Sequence, residues 1–356
     1  METPTTARSD RPVKLPLAEA FELAEAALLA AGAGRDMARA LAAATVDAEA
    51  HGQPSVGFAH LLDYLESLKA GRINGKAEPI RDDPAPAIIR IDAAGGIAQH
   101  GFALAFNDLV ARAGSFGIAL FSLSGSYTTG ELGYYTRRIA QAGLVAFAAT
   151  NGPAIMSVPG ATGPVYCTNP LSFAAPAADS DVIFFDQSSS ATAFVNIRAA
   201  AEKGERLAEG IAVDVSGQPT TDPAAALRGA LLTFGAERGA NIALMVEILA
   251  AGLTGANWSL DAGSFTEGKA SPGAGLLIVA IAPAVLDRDF PARLAAQAKR
   301  LERIHGVHIP GRRKLAARRR AERDGITLPK TLHDRITAWL TKDARDTHGW
   351  TYSVDR

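Results

Sequence analysis

"GIALFSLSGSYTTGELGYY", Gly117–Tyr135, passes from an apolar run through a hydroxyl-rich turn into a helix-like segment at about 131–142. Its opening "GIALFSL" (117–123) reads as a strand covered on both faces. Gly130, with the hydroxyls of Thr128 and Thr129 before it and Glu131 and Leu132 after it, stands where a helix N-terminus can cradle phosphate oxygens. What is missing decides the fold. No G-x-G-x-x-G joins a strand to a helix with an acidic residue about 20 positions later. P-loop, H-E-x-x-H and G-x-S-x-G patterns are absent as well. The chain is therefore expected to be α/β, and any nucleotide must sit on another scaffold.

Working outward, "AIIRID" (87–92), "LVAFAAT" (144–150), "VIFFD" (182–186) and "GLLIVAIAP" (275–283) are further apolar runs that read as strands buried on both faces. Helical patterns at about 100–113 and 240–252 separate some of them. The N-terminal third is mostly helical: Ala-rich amphipathic segments cover 17–33 and 36–50, with Gly52 as a stop, and "FAHLLDYLESLKAG" continues the pattern to Gly71. After Pro283 the pattern returns to helix, ending in the basic "GRRKLAARRRAERDG". Two intertwined subdomains are expected: an N-terminal helical part (12–85), a central mixed α/β part (86–285) and C-terminal helices (286–345) that pack on the first.

With 356 residues, 48% of them hydrophobic, the chain can bury a full core. Lys plus Arg (36) nearly cancel Asp plus Glu (37), so no global field draws nucleic acid or an anionic membrane. Partners are expected to be small molecules or further copies of the chain. The lone cysteine, Cys167, excludes an internal disulfide and a multi-cysteine metal site. The other histidines (His51, His100, His305, His308, His333 and His348) show no metal-ligand spacing. No signal-like N-terminal segment and no run of about 18 apolar residues is seen, so the expected compartment is the cytoplasm.

Several stretches together resemble the type-2 malate/L-lactate dehydrogenase family, which includes sulfolactate and ureidoglycolate dehydrogenases and the Δ1-pyrroline-2-carboxylate/Δ1-piperideine-2-carboxylate reductases. The likeness runs from about Ala18 to Gly325 and is carried by "YLESLKAGRINGKAEP" (64–79), "SYTTGELGYY" (126–135), "TNPLSFAAP" (168–176), "FDQSSSATA" (185–193), "GIAVDVSGQPTTDP" (210–223), "GANIALMVEILAAGLTGANWS" (239–259) and "IHGVHIPGRRKL" (304–315). The resemblance implies a non-Rossmann mixed-sheet domain binding a nicotinamide cofactor, a helical domain made from both chain ends, and a homodimer. Ala-rich apolar helices at both ends also offer more apolar face than a small helical layer needs, which points to a second copy as well. It places cofactor contacts at 128–132, at Glu237 and Arg238, and at Arg312 and Arg313.

The catalytic corner departs from the family pattern. Members typically carry Ser-His-Gly after the second helix, the histidine protonating the substrate; here Ser55-Val56-Gly57 stands there, and valine moves no proton. The arginine four residues on, a clamp for the substrate carboxylate, corresponds to His60, which lacks the bidentate fork. Thr128 stands at a second family histidine. Ser55 and Asp186 remain as catalytic candidates, Asp186 matching the aspartate that orients the family's catalytic pair. His60, Thr128, Thr168 and Asn169 are the substrate-binding candidates. Blander readings stand beside these: Ser55 as the N-cap of the next helix, His60 paired with Asp63 or Tyr64, Asp186 capping the serines after it, and the basic run 312–323 as a solvated helix face.

The missing acid discriminates among substrates. A ketone reduced to an alcohol needs a positioned proton donor, worth roughly 10²–10⁴ in rate. A cyclic imine can arrive already protonated. The expected reaction is thus reduction of Δ1-pyrroline-2-carboxylate or Δ1-piperideine-2-carboxylate to proline or pipecolate by NADPH or NADH, the arginines tilting towards NADPH. Two other readings stay open: a malate- or lactate-type 2-hydroxy acid dehydrogenase, and a non-catalytic nucleotide- or metabolite-binding member of the family.

Overall fold

The computed structural model describes residues 11–178 and 182–340. The end of the expected C-terminal part, 341–345, and His348 lie outside the described residues. After a short strand, β1 (Val13–Leu15), apolar side chains at helical spacing form α1 (Leu17–Ala30) and α2 (Arg35–Ala50). Their inner faces bury Ala20, Ala24, Ala27 and Leu28 on α1 and Met37, Ala38, Leu41 and Ala42 on α2. A single 3₁₀ turn at Pro54–Val56 leads into α3 (Phe58–Ala70), which Gly71 ends in the left-handed conformation.

A hairpin follows, β2 (Ile80–Ala85) and β3 (Ile88–Asp92), then α4 (Ala98–Phe116), β4 (Ile118–Ser126), α5 (Gly133–Gln141), β5 (Val145–Thr150), β6 (Met156–Ser157), β7 (Leu171–Pro176) and β8 (Val182–Gln187). The next stretch holds α6 (Phe194–Lys203), β9 (Ala212–Val213), β10 (Pro219–Thr220), α7 (Pro223–Arg228), β11 (Ala230–Leu232) and α8 (Glu237–Glu247), which widens into a π turn over Ile248–Gly252. The tail comprises β12 (Ala274–Ile281), α9 (Phe290–His305), α10 (Arg312–Asp324), β13 (Ile326–Leu328) and α11 (Lys330–Thr337).

The main sheet has seven strands in the order β2-β3-β4-β12-β5-β7-β8. Only β3 and β4 pair in parallel; every other neighbour pair is antiparallel. The expectation of an α/β chain with a mixed sheet is met. A smaller sheet, β10-β9-β11-β6, stands beside it, and β1 pairs with β13 to join the two ends of the described chain. One apolar cluster spans α1 to α3 together with Ala321, Ile326, Leu328 and Ile336 from the C-terminal elements.

Three details correct the sequence reading. The sheet begins at Ile80, because β2 pairs with β3, so a boundary at residue 85 falls inside a hairpin. Burial on both faces holds for β12, whose first five residues are all buried, but in β3 exposed Arg90 and Asp92 alternate with buried Ile89 and Ile91. Of the Ala-rich faces expected to be left over for a second copy, those of α1 and α2 are consumed in the chain's own core. Uncovered apolar side chains lie instead on α8 and the π turn (Leu244, Met245, Ile248) and on α9, which buries only Ala298.

Close packing at the centre is tested at Gly275 of β12, where a Cβ would stand 1.8 Å from the Ala250 carbonyl oxygen of the π turn. Gly275→Ala is expected to lower unfolding free energy in urea by about 1–3 kcal/mol or more. Gly114→Ala, in open space on α4, should instead raise it by about 0.4–1 kcal/mol.

Candidate active site

Burying a guanidinium is favourable only when its donors are met by fixed carboxylates. Arg137 on α5 is 1% exposed and donates to both oxygens of Glu131, at 2.6 and 2.7 Å, and to Asp47 of α2, at 2.6 Å. The Phe184 ring of β8 lies 5.0 Å beneath it. Gln53, just before the 3₁₀ turn, donates to Glu131 Oε1 at 2.7 Å, which ties the Ser55 loop to the start of α5. From α10, Lys314 Nζ stands 3.7 Å from Glu131 and Arg318 reaches Asp47 at 3.3 Å. Burial alone would raise both carboxyls. For Asp47 the His51 hydrogen bond and the Arg137 charge outweigh it, and for Glu131 the hydrogen bond and charge of Arg137 do, so both are held below the usual carboxylate range.

Asp186, the sequence candidate at the end of β8, belongs to this cluster. It is half-buried and accepts the backbone N–H of Gly133, the first residue of α5, at 2.8 Å. Burial, and next the neighbouring Glu131 charge, raise its pKa to about 6. The terminal N–H of α5 is thus taken by the protein's own carboxylate, with a second one alongside. Ser55 is exposed on the 3₁₀ turn and makes no helix cap; the Phe58 N–H is accepted by Glu49 Oε2 at 2.9 Å instead.

The other wall comes from α3. His60 Nδ1 lies 2.9 Å from Asp63 Oδ2, and its ring meets that of Tyr64 edge-on at 4.7 Å, so the local pairing read from the sequence is present. Gln99 Nε2 donates to the Tyr64 hydroxyl (3.1 Å) and to the Thr129 carbonyl (2.9 Å), fixing the 128–130 turn. Thr128 is half-buried, whereas Thr129 and Leu132 are buried, Leu132 within the core of the main sheet. The side chains of Thr129, Glu131 and Leu132 are therefore committed to the protein; Thr128 and the backbone at Gly130 are what the turn offers.

Thr168 is half-buried beside β8, its carbonyl accepting the Ser189 N–H at 2.8 Å. Asn169 is fully buried at φ 36°, with its amide turned inward to the Ala243 carbonyl and Glu247, both at 2.8 Å. Its side chain is thus bonded to α8, and Thr168 is the more open of the two residues. Glu237 and Arg238 open α8 and are exposed. Arg312 and Arg313 open α10 and are exposed too, Arg312 pairing with Glu302 at 3.1 Å. Within this basic run it is Lys314 and Arg318, missed by sequence reasoning, that turn inward. Asp47, Gln53, Gln99 and Arg137 were missed as well.

A cavity of about 650 Å³ opens beside the start of α8, lined in part by Ser157, Ala191, Arg228, Thr233 and Ala236. Ala191 links it to the segment that follows Asp186. Among the described residues no group of three or more His, Cys, Asp or Glu side chains is placed to hold a metal ion. No helix among them is long and apolar enough to cross a membrane.

The family model for malate/L-lactate dehydrogenase matches residues 15–337. The chain belongs to the malate/L-lactate dehydrogenase family. Among relatives of this family, a Δ1-pyrroline-2-carboxylate/Δ1-piperideine-2-carboxylate reductase of Pseudomonas putida is 37% identical over 320 residues, which cover 89% of this chain and 94% of that protein. A (2R)-3-sulfolactate dehydrogenase (NADP(+)) of Chromohalobacter salexigens is 36% identical, over 91% of this chain and 97% of its own. The crystal structure of Δ1-piperideine-2-carboxylate reductase from Pseudomonas syringae pvar. tomato superposes with a TM-score of 0.88 at 33% identity, covering 92% of this chain and 99% of that one. The family likeness read from the sequence is borne out.

Arg137→Met is expected to destabilise the protein by about 3–5 kcal/mol in chemical denaturation, because the buried Glu131 and half-buried Asp47 lose the guanidinium they share. The pH dependence has a definite sign. Asp47 and Glu131 are depressed in the folded state, so their contribution is full above their ordinary values of 3.8 and 4.5 and is lost as pH falls below them. The difference in stability between wild type and Arg137→Met should therefore shrink between about pH 5 and pH 3.

Proposed function

We propose that the protein is an NAD(P)H-dependent oxidoreductase that reduces a cyclic 2-imino acid, Δ1-pyrroline-2-carboxylate or Δ1-piperideine-2-carboxylate, to proline or pipecolate. One observation carries the reading: Val56 leaves the Ser55 corner without a proton donor, while in the cluster beside it Asp186 is the carboxyl whose pKa is raised, to about 6, where Asp47 and Glu131 are lowered. A carboxylate stabilises a substrate that is already cationic. The relatives named above as imino acid reductases support the same choice.

The residues present suit a nicotinamide dinucleotide. Exposed guanidinium groups at Arg238 and Arg313 are phosphate partners. Gly130, at φ 65°, packs its bare Cα against the protein itself, an added Cβ falling 2.9 Å from Gln99 Nε2, so the backbone of the turn is held in place for a ligand. The cavity beside Ala236 has the volume of a ligand site and takes one end of the dinucleotide. The arginines favour NADPH over NADH, and the sulfolactate relative is named for NADP(+). When bound, the reduced nicotinamide supplies the hydride.

The protein's own part is electrostatic and positional. Thr168, with the Nε2 edge of His60, receives the substrate carboxylate. The Asp186 carboxylate faces the protonated imine nitrogen, and Ser55 and Thr128 complete its hydrogen bonding. Hydride adds to the iminium carbon, the C=N π pair settles on nitrogen, and no proton crosses in that step. A 2-oxo acid would need a proton delivered to oxygen, for which Val56 provides nothing. The buried, isolated thiol of Cys167 suits the cytoplasmic setting expected from the sequence.

The deciding assay follows NAD(P)H consumption with five- and six-membered cyclic imino acids against pyruvate and oxaloacetate. The imino acids should be turned over faster; faster reduction of pyruvate or oxaloacetate would overturn the reading. Val56→His should add little to imine turnover and raise activity on 2-oxo acids.

Asp186→Asn separates chemistry from stability. With the group ionised only above about 6, wild-type kcat/KM should fall below that pH and again above the substrate's own pKa. Asp186→Asn should lower kcat by about tenfold or more and lose the acidic limb. Because the folded pKa is raised from 3.8, ionised Asp186 weakens the fold as pH rises from there through about 6. The same variant should thus melt higher than wild type at neutral pH and show no such gain near pH 4.

A second copy of the chain is proposed to cover the apolar side chains left on α8, the π turn and α9. Ile248 is 48% exposed and Ile304 71% exposed. Light scattering should report a dimer for the wild type and a monomer for the Ile248→Glu/Ile304→Glu variant.

A further inference from the structure

We propose that Glu247 is a positioning residue for the substrate carboxylate, acting through the 167–169 loop that presents Thr168. Glu247 ends α8 and is 3% exposed, yet it touches neither the Ser55 corner nor the Asp186 cluster through any of its hydrogen bonds. Its carboxylate accepts three of them: from Asn169 Nδ2 at 2.8 Å, from the Ser259 N–H at 2.6 Å and from Ser259 Oγ at 2.8 Å. Ser259 Oγ in turn accepts the Cys167 N–H at 3.1 Å. The residues on both sides of Thr168 are therefore held by one carboxylate.

The arrangement holds the residue after Thr168 in an unusual geometry. Asn169 sits at φ 36°, a conformation that costs free energy unless its surroundings impose it. The inward amide is what imposes it: Asn169 Nδ2 is shared between Glu247 and the Ala243 carbonyl, both on α8. From the other side, the Ser189 N–H holds the Thr168 carbonyl and Ser189 Oγ holds the Asn169 carbonyl, each at 2.8 Å. Ser189 lies three residues beyond Asp186, so the loop is registered to the carboxylate that faces the imine. The π turn begins at the residue after Glu247, a helix irregularity of the kind that often marks a functional position.

This inference rests on the imino acid reading, since Thr168 is taken there as a carboxylate contact. The test measures binding of pyrrole-2-carboxylate, a flat unreactive analogue, to the NADPH-loaded enzyme by calorimetry, with steady-state kinetics on the cyclic imino acids. Glu247→Gln turns one acceptor oxygen into a donor. It should weaken pyrrole-2-carboxylate and raise KM by about tenfold or more, with kcat at saturation within about threefold and NADPH affinity unchanged. In a Thr168→Val background the same substitution should add nothing, the signature of action through that residue. Ser259→Ala, which removes only the hydroxyl bridge to Cys167, should show the same pattern more weakly and serves if Glu247→Gln does not fold.

Additive effects of the Thr168 and Glu247 substitutions would overturn the proposal. So would a joint fall of kcat, NADPH affinity and analogue affinity, which is what a merely structural carboxylate gives. Absence of pyrrole-2-carboxylate binding by the wild type would overturn it too. If the binding pattern holds but no cyclic imino acid is reduced, the positioning role stands and the substrate reading falls.

Discussion

The bidentate grip of Arg137 on Glu131, extended to Asp47, is the constraint on which the site depends. A guanidinium cannot be left buried without fixed anions around it, so its partners have little freedom to move. Through them it fixes α2, the turn before α5, the Gln53 loop and, by Lys314 and Arg318, the C-terminal helix α10. Helices from both ends of the chain are thereby held against β8 of the central sheet. Asp186 sits at this junction, where burial, and next the Glu131 charge, raise its pKa. Stability and reactivity draw on one arrangement.

Much of the fold was legible because long elements leave a period in the sequence. The apolar runs that became β4, β5, β8 and β12, and the helical patterns of α1 to α5, needed no tertiary information. What escaped was short or mixed. β7 carries Ser172 and Pro176 among its apolar residues, and the strands of the small sheet span only two or three residues, too few for a pattern to register. The Ala-rich helices looked available to a partner because a single helix does not show how much of its face a neighbouring one will cover.

The candidate site divides in the same way. Residues in motifs, such as Ser55, His60, Thr128, Thr168 and Asp186, could be picked out by likeness to a family. Residues that work through long-range pairing could not: Asp47 and Arg137 are ninety residues apart, and nothing local to Gln53, Gln99 or Lys314 marks them. Charge marked the basic run but not which of its residues pair inward. The exposed Arg312 and Arg313 drew attention, whereas Lys314 and Arg318 make the inward contacts, and the helix terminus that resembled a phosphate cradle holds Asp186. A chain of this family without its histidine donor is then understandable as a site kept for a substrate that carries its own proton.

That claim is tested most directly by paired isotope effects on imine reduction. With 4-deuterated NADPH showing a primary effect, so that hydride transfer limits turnover, the solvent deuterium effect on kcat should lie close to unity, because no proton moves in that step. A solvent effect of roughly two or more under the same conditions would mean that a proton donor acts in the transition state, and would contradict the account.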